Sequence, residues 1–393
     1  MNAIKSHRIE SIDLLRGIVM VIMALDHVRD YFHAGAFVSN PTNMETTTVI
    51  LFFTRFITHY CAPVFIFLAG TSAFLYGIKK TKAALFKFLM TRGLWLIVLE
   101  LTVMSFLWWF DLSFSFFNFQ VIWAIGLCMI FLSLLIYLPK KVLLVFGLLL
   151  IFGHNLLDGI TMEGTGPLAI LWYIFHQSSF VQIGDTWFSF LYPVLPWIGV
   201  ICLGYVFGTL YTKNFNIVLR KKWLSGLGFG AIGLFILLRL VNIYGDPAPW
   251  LEQKNMVFTI LSFLNVTKYP PSLLFLLVTL GPSLVFLRYS ENIKSKLTDF
   301  VLVYGRVPLF YYVLHVLVIH VLAIVGLIVT GGDWKLMLLT MEKFIDGSLA
   351  GYGYSLGIVY LVWIGIVLSL YPLCNWYMEY KANNRDKWWL KYL

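Results

Sequence analysis

The chain has 393 residues, of which 60% are hydrophobic and only 12% are charged, and its formal net charge is +10. Soluble globular domains carry about 25% charged residues, so this composition excludes a soluble enzyme, a disordered chain and a single-pass anchor. A spanning helix takes about 20 residues, and apolar runs of that size recur along the whole chain. We therefore expect a polytopic membrane protein. We attribute the positive charge to basic residues in the loops on one side of the membrane, so no nucleic acid partner is expected.

Ten apolar segments predict an all-α polytopic integral membrane protein, a single bundle of about ten transmembrane helices. The predicted spans are Ile12–Tyr31, Phe56–Tyr76, Gly93–Phe110, Phe119–Leu138, Val142–Leu157, Leu191–Tyr211, Leu224–Tyr244, Pro271–Leu287, Val307–Ile328 and Leu356–Tyr377. A further apolar segment, Gly166–Ile183, is broken by His176, Gln177 and serines. We interpret it as interfacial or re-entrant, which gives eleven segments if it is counted. Residues 1–393 form one domain, with cytoplasmic tails at 1–11 and 378–393.

Basic residues set the predicted orientation, because cytoplasmic loops carry an excess of Lys and Arg. With both termini in the cytoplasm, 20 of the 29 Lys and Arg residues fall in cytoplasmic segments and six fall on the outer side. The remaining three, Arg16, Arg239 and Arg306, lie within or at the edges of spans. We expect a cell-membrane protein whose long outer connections (32–55, 152–190, 245–269 and 330–354) help to form a site for an extracytoplasmic substrate.

The first predicted span carries ionisable groups near both ends, and such groups face the bundle interior because charge in hydrocarbon is costly. Asp26, His27 and Asp30 fall within about one turn near the outer end. A carboxylate beside an imidazole orients the ring and raises its basicity, which favours His27 as a general base. Arg16 lies roughly 16 Å away along the helix axis, near the cytoplasmic face. His33 follows the span and is a second candidate.

The ninth predicted span carries a second group of polar side chains. Tyr311 and Tyr312 lie one turn before His315, so a hydroxyl and an imidazole can share a face. His315 and His320 lie about 140° apart around a helix, which is poor geometry for one metal ion. We expect His315 and Tyr312 to belong to the site, His320 to be structural, and no metal to be required.

Two other buried ions are predicted to be structural. Glu100 in the third span and Arg239 in the seventh are expected to pair with each other, since unpaired charges inside a bundle are costly. The four cysteines, Cys61, Cys128, Cys202 and Cys374, lie in apolar runs without CxxC spacing and are typical of small core residues.

Four stretches resemble bacterial membrane acyltransferases related to heparan-alpha-glucosaminide N-acetyltransferase. They are RIESIDLLRGIVMVIMALDHVRDYF from residue 8, APVFIFLAGTSAFLYG from 62, LYPVLPWIGVICLGYVFG from 191 and GRVPLFYYVLH from 305. The first stretch also has the Arg–ten residues–His spacing of type 3 membrane acyltransferases, from Arg16 to His27. The similarity extends over four helices in the same order.

The resemblance implies transfer of an acyl group, usually acetyl, from cytosolic acyl-CoA to a hydroxyl or amine presented outside. The co-substrate would be acetyl-CoA, held by Arg16 and Arg306 because guanidinium groups suit phosphate oxygens. Tyr312 and His315 would stabilise the oxyanion. In the lysosomal relatives the proposed catalytic histidine lies in the first lumenal loop, a region that holds His33 here. The choice between His27 and His33 therefore stays open.

Several alternatives remain at this stage. Transfer can be direct or pass through an acyl-histidine, and the acceptor can be a glycan, a glycolipid or a small molecule. The same His and Asp groups would also suit a proton-coupled transporter or exporter of a small polar solute. In a third interpretation the buried charges only hold helices together. Composition alone requires only one partner, the lipid bilayer. Whether the protein forms a homodimer stays open.

Overall fold

The computed structural model describes residues 9–391. In that range the chain forms sixteen α-helices: α1 Glu10–Phe32, α2 Val49–Thr58, α3 Cys61–Gly77, α4 Lys82–Leu99, α5 Ser105–Trp109, α6 Val121–Leu135, α7 Lys140–Gly153, α8 Pro167–Phe175, α9 Leu195–Phe207, α10 Ile217–Val241, α11 Met256–Leu264, α12 Leu273–Ser290, α13 Lys296–Arg306, α14 Pro308–Val329, α15 Met341–Ile345 and α16 Leu356–Asn383. A π-helical segment, Glu100–Met104, joins α4 to α5. Residues 1–8 and 392–393 of the predicted tails, with Lys5 and Arg8, lie outside the described residues.

Helices occupy all ten segments that the sequence predicts to be spans. Seven helical segments are long and apolar enough to cross a membrane: Val49–Gly77, Lys82–Trp109, Lys140–Leu157, Ile217–Val241, Leu273–Ser290, Pro308–Val329 and Leu356–Asn383. Val121–Leu135 and Leu195–Tyr211 are apolar but shorter, and α1 carries charged residues near both ends. The mostly helical, multi-pass architecture is confirmed, while the number of spans and the side of each terminus stay predictions.

A small sheet lies among the connections, and the sequence analysis did not predict it. Its strands are β1 (Phe116–Asn118), β2 (Ser179–Ile183) and β3 (Thr186–Phe190), in the order β1-β3-β2. β2 and β3 pair as an antiparallel hairpin because only Gly184 and Asp185 separate them, and β1 pairs with β3 in parallel. The segment Gly166–Ile183, expected to be interfacial or re-entrant, contains α8 followed by β2, and its place relative to the membrane stays a prediction.

Helix α1 lies at the centre of the bundle. It packs against α2, α3, α12, α13, α14 and α16, and its middle residues, including Val19, Ala24 and Val28, are buried. This position follows from its sequence, because the polar groups near its two ends need protein partners rather than lipid. The candidate site residues of α1 are thus surrounded by five other long helices and α2.

Close contacts between glycines bring the principal helix pairs together. A Cβ on Gly305 of α13 would lie 1.9 Å from the carbonyl oxygen of Asp13, and one on Gly17 would lie 2.2 Å from that of Val301. The backbones of α1 and α13 therefore touch where no larger residue fits. Four other helix pairs use the same device, through Gly70 and Gly204, Gly93 and Gly126, Gly147 and Gly199, and Gly228 and Gly281. Gly204, Gly208 and Gly228 all lie against a neighbouring helix, whereas nothing lies within 4 Å of a Cβ at Gly230 or Gly233.

We expect Gly305→Ala to destabilise the protein by about 1–3 kcal/mol or more, because the added methyl group meets backbone that cannot move aside. Thermal unfolding in detergent would show this as a lower midpoint. Gly230→Ala is the matched control, since nothing lies within 4 Å of a Cβ at that glycine and alanine favours a helix. Equal midpoints for the two variants would contradict the role of Gly305.

Candidate active site

A hydrogen bond between two buried histidines joins α1 to α14. His27 Nδ1 lies 2.8 Å from His315 Nε2, and the two ring planes differ by only 5°. The ring centroids are 4.9 Å apart, far more than the nitrogens, so the rings meet edge to edge in nearly one plane. The structure thus brings together two of the predicted site residues, which are 288 positions apart in the chain.

The partners of His315 fix the protonation of both neutral rings. His315 Nδ1 lies 2.7 Å from the carbonyl oxygen of Tyr311, and a carbonyl can only accept, so Nδ1 carries the hydrogen. His315 Nε2 is then an acceptor, and His27 Nδ1 must be the donor to it. The other nitrogen of His27, Nε2, is left unprotonated. A free imidazole lone pair is what a general base requires.

Aromatic side chains enclose the histidine pair. The edge of Trp108 meets His27 at a centroid distance of 4.8 Å, and Tyr312 lies 5.9 Å from His27. Trp108 Nε1 donates to the Tyr312 hydroxyl at 3.4 Å, and Tyr31 donates to the Trp108 carbonyl at 2.5 Å. Because Tyr312 accepts from Trp108, its own hydroxyl hydrogen remains available for another acceptor. These contacts hold the ring of His27 in a defined orientation.

The carboxylates of α1 bind arginines rather than His27. Asp26 accepts from Arg29 at 2.8 Å and also from Arg55 of α2, and Asp30 accepts from Arg29 at 2.6 Å. The expectation that Asp26 or Asp30 orients His27 is therefore wrong. The physical reason is competition, since a bidentate or charge-assisted bond to arginine is stronger than one to a neutral imidazole.

A cavity of about 210 Å³ lies beside His27, and we call it the outer cavity because the predicted orientation puts this end of α1 on the outer side. Its lining includes Asp26, Asp30, Arg55 and Lys268, together with three aromatic side chains, Trp108, Tyr192 and Tyr269. The ionisable groups around His27 therefore line a space that is large enough for a small polar molecule or for one end of a longer molecule.

An inner cavity of about 490 Å³ lies on the opposite side of the histidine pair. Four basic residues line it, namely Arg16, Arg92, Arg306 and Lys381, and the rest of its wall is largely apolar. Arg16 donates to Asp13 at 3.0 Å and to Ser72 at 3.2 Å. Arg306 Nε is buried without a hydrogen-bond partner among residues 9–391. The cavity thus combines cationic groups with an apolar interior.

The two cavities share an apolar wall. Met23, Phe65 and Val121 line both of them, and we call these three residues the apolar partition. Tyr312 lines the inner cavity, while His27 lines the outer cavity. The wall of the inner cavity therefore includes Tyr312, whose ring centroid lies 5.9 Å from that of His27 in the wall of the outer cavity.

His33 is separate from this arrangement. It lies at the C-terminal end of α1, where its Nδ1 accepts from the backbone N–H of Gly35 at 3.1 Å. Burial, and then the nearby charge of Arg29, lower the pKa of His33 from its ordinary value. Neither cavity includes His33 in its lining, so the structure groups His27, and not His33, with the other candidates.

The remaining polar residues of the spans have structural partners. Glu100 accepts from the backbone N–H of Trp123 at 3.3 Å, and Arg239 donates to four backbone carbonyls, those of Ala248, Ser262, Phe263 and Asn265. The predicted pairing of Glu100 with Arg239 is wrong, since backbone groups satisfy each of them. His320 lies between the carbonyls of Leu107 and Met337, as expected of a structural residue. Within residues 9–391, no three His, Cys, Asp or Glu side chains group in a way that suits a metal ion.

Three residues of the site were missed from the sequence. Arg55 and Lys268 were counted only as basic residues of the outer side, although Arg55 lies within an otherwise apolar run, and that signal marks a buried charge. Trp108 was read as part of a span. An aromatic residue in an apolar segment carries no sequence signal that separates a site from the core.

Comparison with known proteins identifies the family of the chain. The family model described as "Heparan-alpha-glucosaminide N-acetyltransferase, catalytic" matches residues 8–238, more than half of the chain. That range contains His27, Arg16 and the first three similar stretches, while GRVPLFYYVLH lies beyond it. No curated protein matches the chain. The chain belongs to the family of the heparan-alpha-glucosaminide N-acetyltransferase catalytic domain, a membership that indicates acetyltransferase activity.

Proposed function

We propose that this protein is a membrane-embedded acyltransferase that moves an acetyl group from cytosolic acetyl-CoA to an extracytoplasmic acceptor, such as a sugar or glycan. The observation that carries the proposal is the histidine pair, which leaves Nε2 of His27 unprotonated in a side chain that lines the outer cavity. Family membership supplies the reaction class. The protein acts in the cell membrane with both termini in the cytoplasm, which places the inner cavity on the cytoplasmic side.

The inner cavity fits an acyl-CoA donor. Arg16 and Arg306, together with Arg92 and Lys381, provide positive charge for phosphate oxygens, and the partnerless Arg306 Nε is an available donor. The apolar interior between these cations and Tyr312 suits the less polar arm that carries the thioester. The cavity volume of about 490 Å³ falls within the usual range of roughly 300–1,000 Å³ for ligand sites.

His27 is the general base in this mechanism. Its Nε2 takes the proton of the acceptor as the acceptor oxygen or nitrogen bonds to the thioester carbon. The carbon–sulfur bond then breaks, and the proton passes to the sulfur, so that coenzyme A leaves as a thiol. Positive charge that develops on His27 is shared with His315 through their hydrogen bond.

Tyr312 is the better candidate for the oxyanion. Its hydroxyl hydrogen is free, because the oxygen accepts from Trp108, and Tyr312 lines the inner cavity. Both nitrogens of His315 are engaged, one with Tyr311 and one with His27. We therefore assign His315 to positioning and Tyr312 to stabilising the developing charge. Direct transfer would give sequential kinetics, and an acetyl-histidine would give ping-pong kinetics.

We expect His27→Gln to lower kcat by roughly 10²–10⁴-fold, because general-base catalysis is lost. The measurement is acetyl transfer by the purified protein in lipid vesicles, beside acetyl-CoA binding by calorimetry, which should persist. His33→Gln is the matched control and should keep near-normal activity. An active His27→Gln enzyme with an inactive His33→Gln enzyme would reverse the assignment. Solute uptake without acetyl-CoA consumption would instead identify a transporter.

We expect Arg16→Gln to raise the KM for acetyl-CoA by about tenfold or more, because a charge-assisted bond to phosphate is lost. With S-acetylpantetheine as the donor, which carries no phosphate groups, the same variant should have the same KM as the wild type. Arg288→Gln is the control, since Arg288 is a predicted cytoplasmic arginine that lines neither cavity. An equal loss of activity with acetyl-CoA and with S-acetylpantetheine would show that Arg16 only supports the helix.

We expect His315→Leu to lower kcat by at least about tenfold while the KM for acetyl-CoA stays unchanged, because His27 loses the acceptor that fixes its tautomer. His315→Gln should retain more activity, since its amide oxygen can accept from His27 Nδ1–H. Nitrogen-15 chemical shifts of His27 would report the tautomer directly. If His27 keeps its hydrogen on Nδ1 in His315→Leu, His315 does not select the tautomer.

A further inference from the structure

The outer cavity holds more positive than negative charge. Arg29, Arg55 and Lys268 line it together with the carboxylates Asp26 and Asp30. Asp26 is bound by both arginines, and Asp30 is bound by Arg29. The two arginines and the two carboxylates therefore balance one another, and the ammonium of Lys268 is left over.

Lys268 is the unbalanced charge. No carboxylate among residues 9–391 lies within ion-pair distance of it, so Asp26 and Asp30 act on it only from farther away. Its ammonium lies 5.1 Å from the centroid of the Tyr269 ring. A partly buried cation without an anion is costly, and its cost falls when a ligand supplies the opposite charge. Because Lys268 lines the cavity, an anionic group that neutralises its ammonium would lie inside the cavity.

Two further polar atoms of the lining lack partners. Arg29 is buried, yet its Nε makes no hydrogen bond within the described part of the chain. Asn118 Oδ1 is likewise buried and without a partner there. Buried polar groups are nearly always satisfied in folded proteins. These two atoms therefore offer a donor and an acceptor to a ligand, in addition to the ammonium of Lys268 and the lone pair of His27.

We infer that the acceptor is a hydroxyl compound, or the end group of a longer molecule, that carries a phosphate or carboxylate group, and that Lys268 binds this anionic group. The inference rests on the proposed function, because it treats the outer cavity as the acceptor site. A positively charged amine is disfavoured by the surplus cation, so the nucleophile is a hydroxyl. The cavity of about 210 Å³ is smaller than most ligand pockets, so it admits one sugar-sized unit.

The test is equilibrium binding of four radiolabelled probes to the full-length protein in detergent, with coenzyme A present. Glucose 6-phosphate and glucuronate carry the two anionic groups, glucose carries neither, and glucosamine carries a positive charge. At least one anionic probe should bind about tenfold or more tightly than glucose, and glucosamine should bind no better than glucose. Comparing the two anionic probes decides between phosphate and carboxylate.

Lys268→Gln should abolish the preference for the anionic probe, whereas Lys268→Arg should keep most of it. Lys254→Gln is the matched control, because Lys254 is an outer-side lysine that lies over the ring of Phe258 and lines neither cavity. Equal binding of all probes, absence of binding, or a preference that survives Lys268→Gln would overturn the inference. Coenzyme A binding, measured on the same samples, reports separately on the proposed function and on folding of the variants.

Discussion

The architecture depends on the need to keep the charges of α1 out of lipid. This helix carries Asp13 and Arg16 near one end and a cluster around Asp26 near the other, and each charge exposed to hydrocarbon would cost several kcal/mol. Placing α1 at the centre lets other helices supply the partners: Arg55 from α2, Ser72 from α3 and His315 from α14. The glycine contact between α1 and α13 then holds the helix close enough for those bonds to form. The polar groups of α1 thus determine which helices surround it.

The same constraint produces the reactive group. A single backbone carbonyl, that of Tyr311, sets the hydrogen on His315, and through His315 it sets the hydrogen on His27. Arg29 and Arg55 bind Asp26 and Asp30, so these carboxylates do not form hydrogen bonds with the ring of His27. In the proposed mechanism, fixed neighbours therefore set the tautomer of His27 before any substrate arrives. Electrostatic preorganisation of this kind avoids the cost of rearrangement during the reaction.

The sequence was sufficient for the helices, but not for the partners of the candidate site residues. Runs of apolar residues predicted all ten helical segments, and ionisable residues inside them marked His27, Arg16 and His315. The contact between His27 and His315 joins residues 288 positions apart, and no local pattern encodes such a distance. Asp26 and Asp30 were expected to be partners of His27 because they are close to it in the sequence. The sequence does not show that Arg55 of α2 binds Asp26 instead. The strands escaped prediction because each has only three to five residues.

The apolar partition of Met23, Phe65 and Val121 has an electrical consequence. Two cavities that contain charged groups and lie toward opposite ends of α1 would, if joined by water, form a leak for protons and ions across the bilayer. Each elementary charge moving through 100 mV is worth about 2.3 kcal/mol, so such a leak would drain the membrane potential. Narrow hydrophobic constrictions block it because water does not fill them. With both termini in the cytoplasm, as proposed, the apolar partition would keep the two substrate cavities electrically separate, as an enzyme that works across a charged membrane requires.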